Sequence, residues 1–422
     1  MRVEDLLESY IIPPVARVRQ GFDETSLDNA ESVLWDELQS VRDTIQPGMH
    51  IAITGSSRGI DKYQIIMKTI VDFVKARGAE PFIVPAMGSH GGATAEGQQK
   101  VLEDLGITNE TVGCSIRSSM DVVEIGRTEL DLPVYIDKLA FEADGIILLN
   151  RVKTHTSIRG EIQSGLVKMC AIGLAKHKGC AMTHSLGVRH LGENVERVGK
   201  VVLEKANILF GVATTENGFS HLANIYVVPR DEIFETEKKI LQSAKKMVPE
   251  ILMDNIDALI VYETGKDIAG TGMDPAVIGR PFNKKPNTGT EVEGLGVLRL
   301  TKTTAGNSCG IGMADFISQH VRDEMIENYM RINAITGMAP VLGAIPITLP
   351  TDKLVFKACI RNSGQIYSDK VKLVIIKNTK NLNEIYMSKA AFEASNAPER
   401  MTRLTDYFEV PFDENGMLKL FS

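Results

Sequence analysis

Four residues with reactive side chains, His155, Lys168, His177 and His184, fall within 30 residues of one another. They occupy the stretch from Asn150 to His184, directly after the apolar run Gly145-Ile-Ile-Leu-Leu-Asn150. That run predicts a buried strand. Titratable groups delivered from the end of a buried strand suit an α/β active site. Imidazoles offer proton transfer or metal ligation. A lysine among apolar neighbours, as in Ser164-Gly-Leu-Val-Lys-Met169, offers an amine of lowered pKa and raised nucleophilicity. On the residues alone Lys168 reads equally as a surface lysine laying its stem on apolar neighbours, which is the commoner case. His177 and His190 read as helix-end or surface histidines.

Lys168 and His184 can share a ligand only if the chain turns between them. The pattern predicts a helix over 161–176, and in one straight helix the two would stand roughly 24 Å apart at about 1.5 Å per residue. Lys176-His-Lys-Gly179 carries the basic residues and glycine that end helices. A chain doubling back there would bring His184 beside Lys168.

Three further loops carry candidates. Gly55-Ser-Ser-Arg-Gly59 follows a predicted strand at 51–54 and precedes a predicted helix, Tyr63–Arg77. Backbone N–H groups at a helix start, with Ser56, Ser57 and Arg58 as added donors, suit an anion. An ordinary βα turn is the alternative, because the loop matches neither GxxxxGK[ST] nor GxGxxG. His90 stands in Gly88-Ser-His-Gly-Gly92, after a predicted strand at 81–85. It reads as a functional imidazole or as a loop histidine bonded to a carbonyl. Lys266 lies in the Gly-rich loop 263–274 after a predicted strand at 257–262.

Strand–turn–helix–strand over 50–85 is a βαβ unit, and such units build parallel sheets. Further strands are expected at 208–213, 225–228, 297–301, 341–347 and 371–376, and short ones over 112–137. Helices are expected at 26–45, 94–105, 195–206 and 231–250, and a short strand at Ile11–Pro14. The expected fold is two α/β domains with mostly parallel sheets, residues 1–245 and 246–422, with an active-site cleft between them. Ligands in such sheets bind at the carboxyl ends of strands.

The totals narrow the function. The chain has 422 residues, 43% apolar and 24% charged, which is ordinary for a globular protein of two domains. A net charge of −7 without a basic, aromatic-laced block argues against a nucleic-acid partner. MRVEDLLESY lacks the basic and apolar regions of a secretory leader, and no run approaches the 18 apolar residues of a membrane span. Five scattered cysteines without a CxxC pair suggest reduced thiols in a cytoplasm. Cys170 and Cys180 read as small buried apolar residues. No HExxH and no GxSxG elbow occurs, so neither a zinc hydrolase nor a serine triad is indicated.

Taken together, Gly55-Ser-Ser-Arg58, Gly88-Ser-His90, Thr154-His155, Ser164-Gly-Leu-Val-Lys168, His184 and Gly265-Lys-Asp-Ile-Ala-Gly-Thr-Gly-Met-Asp-Pro275 resemble the lactate racemase family that depends on a nickel-pincer nucleotide. The resemblance covers both halves of the chain in order. It implies an isomerase that racemises or epimerises a 2-hydroxy acid by proton-coupled hydride transfer. By resemblance, Lys168 is the tether of the cofactor, a pyridinium mononucleotide with a thioamide and a thiocarboxylate that bind nickel. His184 is the nickel ligand, His90 and His155 are acid and base, Arg58 binds the substrate carboxylate, and Ser56 and Ser57 line the cofactor site. Enzymes of cofactor synthesis are implied as partners, beside a small hydroxy-carboxylate substrate; a homo-oligomer stays open.

The family's Asp-His-Thr-Arg-Pro turn is Ser56-Ser57-Arg58-Gly59 here, and its Tyr-Gln-x-x-Lys motif is absent. This implies a hydroxy acid other than lactate, or a polyol-type acid, with Lys266 and Asp274 as substrate contacts. For Asp274, which precedes Pro275, an ordinary turn role is the alternative. Two other readings stand beside the isomerase. One is a non-catalytic binder of an anionic ligand or nucleotide. The other is an NAD(P)-dependent oxidoreductase, disfavoured by the missing GxGxxG.

Overall fold

The computed structural model describes residues 2–155, 158, 160–282 and 290–421. The chain divides into two compact units, Asp23–Val248 and a second made of Met1–Phe22 with Pro249–Ser422. The first 22 residues therefore leave the domain in which the sequence reading put them. They supply α1 (Val3–Leu7) and β1 (Val15–Gln20) to the second unit. The strand expected at Ile11–Pro14 lies one step later, past the two prolines, which lack the N–H a ladder needs.

In unit Asp23–Val248 the order is α2 (Ala30–Leu38), β2 (His50–Gly55), α3 (Tyr63–Ala76), β3 (Glu80–Pro85), α4 (Ala95–Asp104), α5 (Asn109–Val112), β4 (Ser115–Ile116), β5 (Val122–Arg127), β6 (Pro133–Asp137), α6 (Lys138–Phe141) and β7 (Gly145–Arg151). There follow α7 (Leu166–Lys168), a π turn at Met169–Gly173, α8 (Lys176–His184), α9 (Leu191–Lys205), β8 (Ile208–Glu216), β9 (Leu222–Pro229) and α10 (Ile233–Met247). The six strands β4-β3-β2-β7-β8-β9 lie in that order, parallel except for β9. β2 and β7 are adjacent, with Ile51 opposite Gly145 and Ile53 opposite Ile147. Both are apolar at successive positions because helices cover both faces of this sheet. At their carboxyl ends the Leu149 N–H donates to Thr54 Oγ1 at 2.8 Å, a cross-strand tie just below the loops that follow. β5 and β6 form a separate antiparallel pair.

The second unit carries β10 (Asn255–Thr264), β11 (Glu291–Leu300), β12 (Phe316–Ser318), α11 (Gln319–Glu324), α12 (Glu327–Thr336), β13 (Ile347–Leu349), α13 (Asp352–Asn362), β14 (Leu373–Ile376), β15 (Glu384–Ser388), α14 (Lys389–Glu393) and β16 (Met401–Arg403). Its eight-stranded sheet runs β13-β12-β11-β10-β14-β15-β1-β16. The first five strands are parallel and the remainder antiparallel. The strand expected at 341–347 is instead a 3-10 turn at Pro340–Gly343, with strand only from Ile347. Gly343 leaves no room for a side chain against Ala334. Among the described residues no helix is long and apolar enough to cross a membrane.

Candidate active site

β3, β2 and β7 are neighbours in the sheet, and the loops after them carry His90, Arg58 and Lys153. α3 begins at Tyr63, where the sequence placed it, after Lys62 in a left-handed conformation (φ 59°), so the loop at 55–59 lies ahead of the first helical turn. The Ser56 N–H donates to Tyr63 Oη at 2.7 Å, and Ser56 Oγ donates to the Arg58 carbonyl at 3.1 Å. Ser56 is buried and its donors are engaged within the turn, so it shapes the turn. Ser57 is half-buried, and Arg58 is exposed.

The β3 loop bends through Gly88 (φ 60°), Gly91 (φ 64°) and Gly92 (φ 66°), a run of left-handed positions that glycine takes without strain. Gly88 is also tight: a Cβ there would lie 3.2 Å from Ile172 and 3.3 Å from Cys180 Sγ. Thr94 caps α4 by accepting the Gly97 N–H at 3.0 Å. His90 stands at the crest. Partial desolvation, then the charges of Arg58 and Lys168, hold its imidazole down to about 4.

The β7 loop is pinned at several points. Asn150 Nδ2 donates to the Gly165 carbonyl at 2.7 Å, and the Lys153 N–H donates to the Ser164 carbonyl at 2.9 Å. His155 is anchored by its own N–H to Gln163 Oε1 at 2.8 Å. Its Nδ1 accepts the Ile158 N–H at 3.0 Å, which leaves the neutral ring's proton on Nε2. Lys153, which the sequence reading passed over, is held down to about 8 by partial desolvation and by Arg151, Lys168 and Arg58.

The segment 161–176 is not one helix. α7 is a single turn whose Val167 N–H donates to Glu237 Oε2 of α10 at 2.9 Å. A side chain at Gly165 would strike that carboxylate. After the π turn the chain reverses at Lys176, a non-glycine residue with φ 51°. The reversal thus falls at Leu174–Lys176, before the basic cluster, and His177 and Gly179 lie inside α8. Thr183 Oγ1 donates back to the Ala171 carbonyl at 3.0 Å, so the end of α8 returns to the turn that follows Lys168. His177 and His190 are exposed, as expected.

Lys168 and His184 are thereby brought into electrostatic range of each other. Burial, then Arg58, lowers the Lys168 ammonium to about 8, partly offset by Cys180. His184 is lowered as well, mainly by burial. Its Nδ1 lies 2.7 Å from the Cys180 carbonyl. A carbonyl only accepts, so Nδ1 carries the proton and Nε2 keeps its lone pair. Cys180 Sγ lies 3.7 Å from the same Nδ1. Burial pushes the Cys180 thiol up, against hydrogen bonds from Ser89 and the charge of Lys168. Cys180 therefore borders both Lys168 and His184. A spacing of four on a helix was the signal for the His184 contact.

Arg58, Lys153 and Lys168 make no ion pair among the described residues, although each opposes its neighbours' charge. Such a group of cations favours an anionic ligand. Among the described residues no group of three or more His, Cys, Asp or Glu is placed to hold a metal ion.

Residues 30–196 match the model of the lactate racemase N-terminal domain. This region is similar to that domain. It contains Arg58, His90, Lys153, His155, Lys168, Cys180 and His184. The structure of the lactate racemase apoprotein from Thermoanaerobacterium thermosaccharolyticum aligns at 15% identity and a TM-score of 0.47, covering 87% of this chain and 89% of that one. No curated protein matches.

Lys266 and Asp274 lie in the other unit, outside the matched domain. Lys266 Nζ donates to the Gly270 carbonyl at 2.7 Å, and Asp274 Oδ1 accepts the Ala276 N–H at 2.9 Å. Both side chains bond within their own loop; for Asp274 this is the turn role that the sequence set beside substrate contact.

Proposed function

We propose that this chain racemises or epimerises a 2-hydroxy-carboxylate other than lactate, using a nickel-pincer nucleotide tethered to Lys168. The observation that carries the reading is the pairing of a low-pKa amine at Lys168 with an imidazole at His184 whose Nε2 lone pair is kept available. The donor chemistry fits the group. An amine near 8 has a sizeable neutral fraction for forming an amide-type bond. A single histidine suits a metal whose other donors belong to the cofactor, and Ni(II) accepts a planar set of soft and nitrogen donors. When bound, the group supplies a hydride acceptor.

The chain's own residues have separable tasks. Arg58 and Lys153 hold the substrate carboxylate and any further anionic group by charge-assisted hydrogen bonds. His90, neutral at working pH, takes the hydroxyl proton as the adjacent C–H bond is broken. His155 carries its proton on Nε2 and serves as the acid that returns a proton to the keto oxygen. Tethering at Lys168 removes one cation, and binding an anion offsets Arg58. Both changes raise His90 toward the ordinary histidine range of about 6.5, where its basicity matches its task.

The test is a panel of single-enantiomer hydroxy acids deuterated at the hydroxyl-bearing carbon, given to cofactor-loaded protein. Racemic product that keeps its deuterium in ordinary water supports internal hydride transfer. Wash-out of deuterium into solvent, or binding without racemisation across the panel, rejects it.

A further inference from the structure

A buried ammonium, which the chemistry above does not use, lies behind the His90 loop. The Lys176 side chain is 0% exposed and pairs with Asp137 Oδ2 at 3.0 Å, itself 0% exposed. Lys176 Nζ also donates to Gln98 Oε1 at 3.1 Å and to the Pro85 carbonyl at the end of β3. With its oxygen committed to Lys176, the Gln98 amide turns its nitrogen the other way. Gln98 Nε2 donates to the Gly88 carbonyl at 2.8 Å and to the His90 carbonyl at 3.3 Å. Flipping the amide would oppose like groups at every contact, so the arrangement has one polarity. Gln98 is also 0% exposed. From the other side, the Gly91 backbone is so close to Gly97 that a Cβ on either would overlap the other's backbone.

Lys176 is the first residue of α8, and the reversal there has a left-handed φ that is strained for a non-glycine residue. The Asp137 N–H donates to the Leu174 carbonyl at 2.7 Å, fixing the chain just before the reversal. One ammonium is thus bonded to β3, to α4 through Gln98 and to β6 through Asp137, and stands on the helix that ends in His184. A buried ion pair is seldom a net source of stability, because desolvation opposes the attraction. Its cost is better explained by specificity of placement.

We propose that Gln98, Lys176 and Asp137 are positioning residues that hold the His90 loop and the start of the His184 helix to one buried ammonium. The proposal rests on the reading of His90 as the proton-transfer group, but its primary test does not need catalysis. Histidine NMR titration and backbone amide exchange on cofactor-free protein read the ring and its loop directly. In the wild type His90 stays neutral down to about pH 4, with Arg58 and Lys168 as its charged neighbours.

Gln98→Met keeps the volume and loses the donors. It should raise the His90 midpoint toward about 6.5 as the loosened ring gains water and moves away from Arg58 and Lys168, and speed amide exchange at Ser89–Gly91, while His184 stays put. Gln98→Glu, which keeps an acceptor for Lys176 but not the donor to the two carbonyls, should do the same. Asp137→Asn with Lys176→Met removes both charges together and should move His90 and His184 alike. Loaded Gln98→Met should lose about 10²-fold in kcat with little change in KM. A folded Gln98→Met with wild-type His90 titration and amide exchange overturns the proposal. If Gln98→Met shifts the His90 ring while loaded His90→Gln keeps full activity, the clamp stands and the assigned role of His90 fails.

Discussion

Burial is the main cause that lowers His90, Lys153 and His184, and the charge of Lys168 adds to it in each; Lys168 is itself lowered by burial and by Arg58. Lys168→Met should therefore raise the His90 midpoint above about 4, read by histidine NMR. The rise should stop short of the ordinary value, since desolvation and Arg58 remain. An unchanged midpoint would separate the two residues. In the loaded enzyme His90→Gln and His155→Gln should each lower kcat by about 10²–10⁴-fold, measured from both enantiomers. Lys153→Ala should raise KM most for substrates with a second anionic group and leave kcat nearly unaltered. Lys168, His184, His90 and Arg58 were singled out in the sequence through motif order, and the structure places Lys168 in electrostatic range of the other three. Cys180 was read as a small buried apolar residue because its spacing from His184 has meaning only once 176–184 is known to be one helix. Lys153 was passed over because nothing local marks a lysine as facing other cations from neighbouring loops.

At the scale of elements, Glu237 of α10 shows how a distant helix holds the site. It is fully buried and accepts the Val167 N–H at the start of α7, one residue before Lys168. Burial raises its carboxyl to about 7 against an ordinary 4.5, with the backbone bonds pulling the other way. The folded state then holds a proton that the unfolded state gives up between pH 4.5 and 7. Stability from this group is full below pH 4.5 and is lost as pH rises through 7, by up to roughly 3 kcal/mol. Denaturant unfolding of Glu237→Gln should lack this fall, and the variant should be relatively most favoured at pH 8. A wild-type stability that rises from pH 5 to 8 with no difference in the variant would contradict the assignment.

The expected helix at 161–176 failed for a related reason. Lys176 lies at a left-handed φ that no local signal favours, and the buried Asp137 and Gln98 that hold it there are 39 and 78 positions away in the chain. Apolar runs such as 145–149 were legible because burial on both faces demands them.

On the scale of the molecule, the α/β class with mostly parallel sheets follows from the βαβ pattern and is what the chain adopts. The assignment of residues 1–22 could not follow, because strand pairing across nearly the whole chain leaves no local mark. β1 lies between β15 and β16, with Val15 opposite Ser388 and Val18 opposite Arg403. Deleting residues 1–20 should uncover β15 and β16 and lower the thermal midpoint of the second unit by several degrees or more, with unit Asp23–Val248 least affected. Limited proteolysis should then cut first within 249–422. Early cuts confined to 23–248 would contradict this division.

The proposed function joins Lys168 and His184 through one nucleotide and one metal. The direct measurement is intact mass and nickel content of the chain made together with the enzymes of cofactor synthesis, compared with Lys168→Ala and His184→Ala. The account predicts added mass on the wild-type peptide holding Lys168 with close to one nickel per chain. It predicts neither for Lys168→Ala, and added mass with little nickel for His184→Ala. Wild-type protein without added mass, or Lys168→Ala retaining mass and nickel, would contradict it.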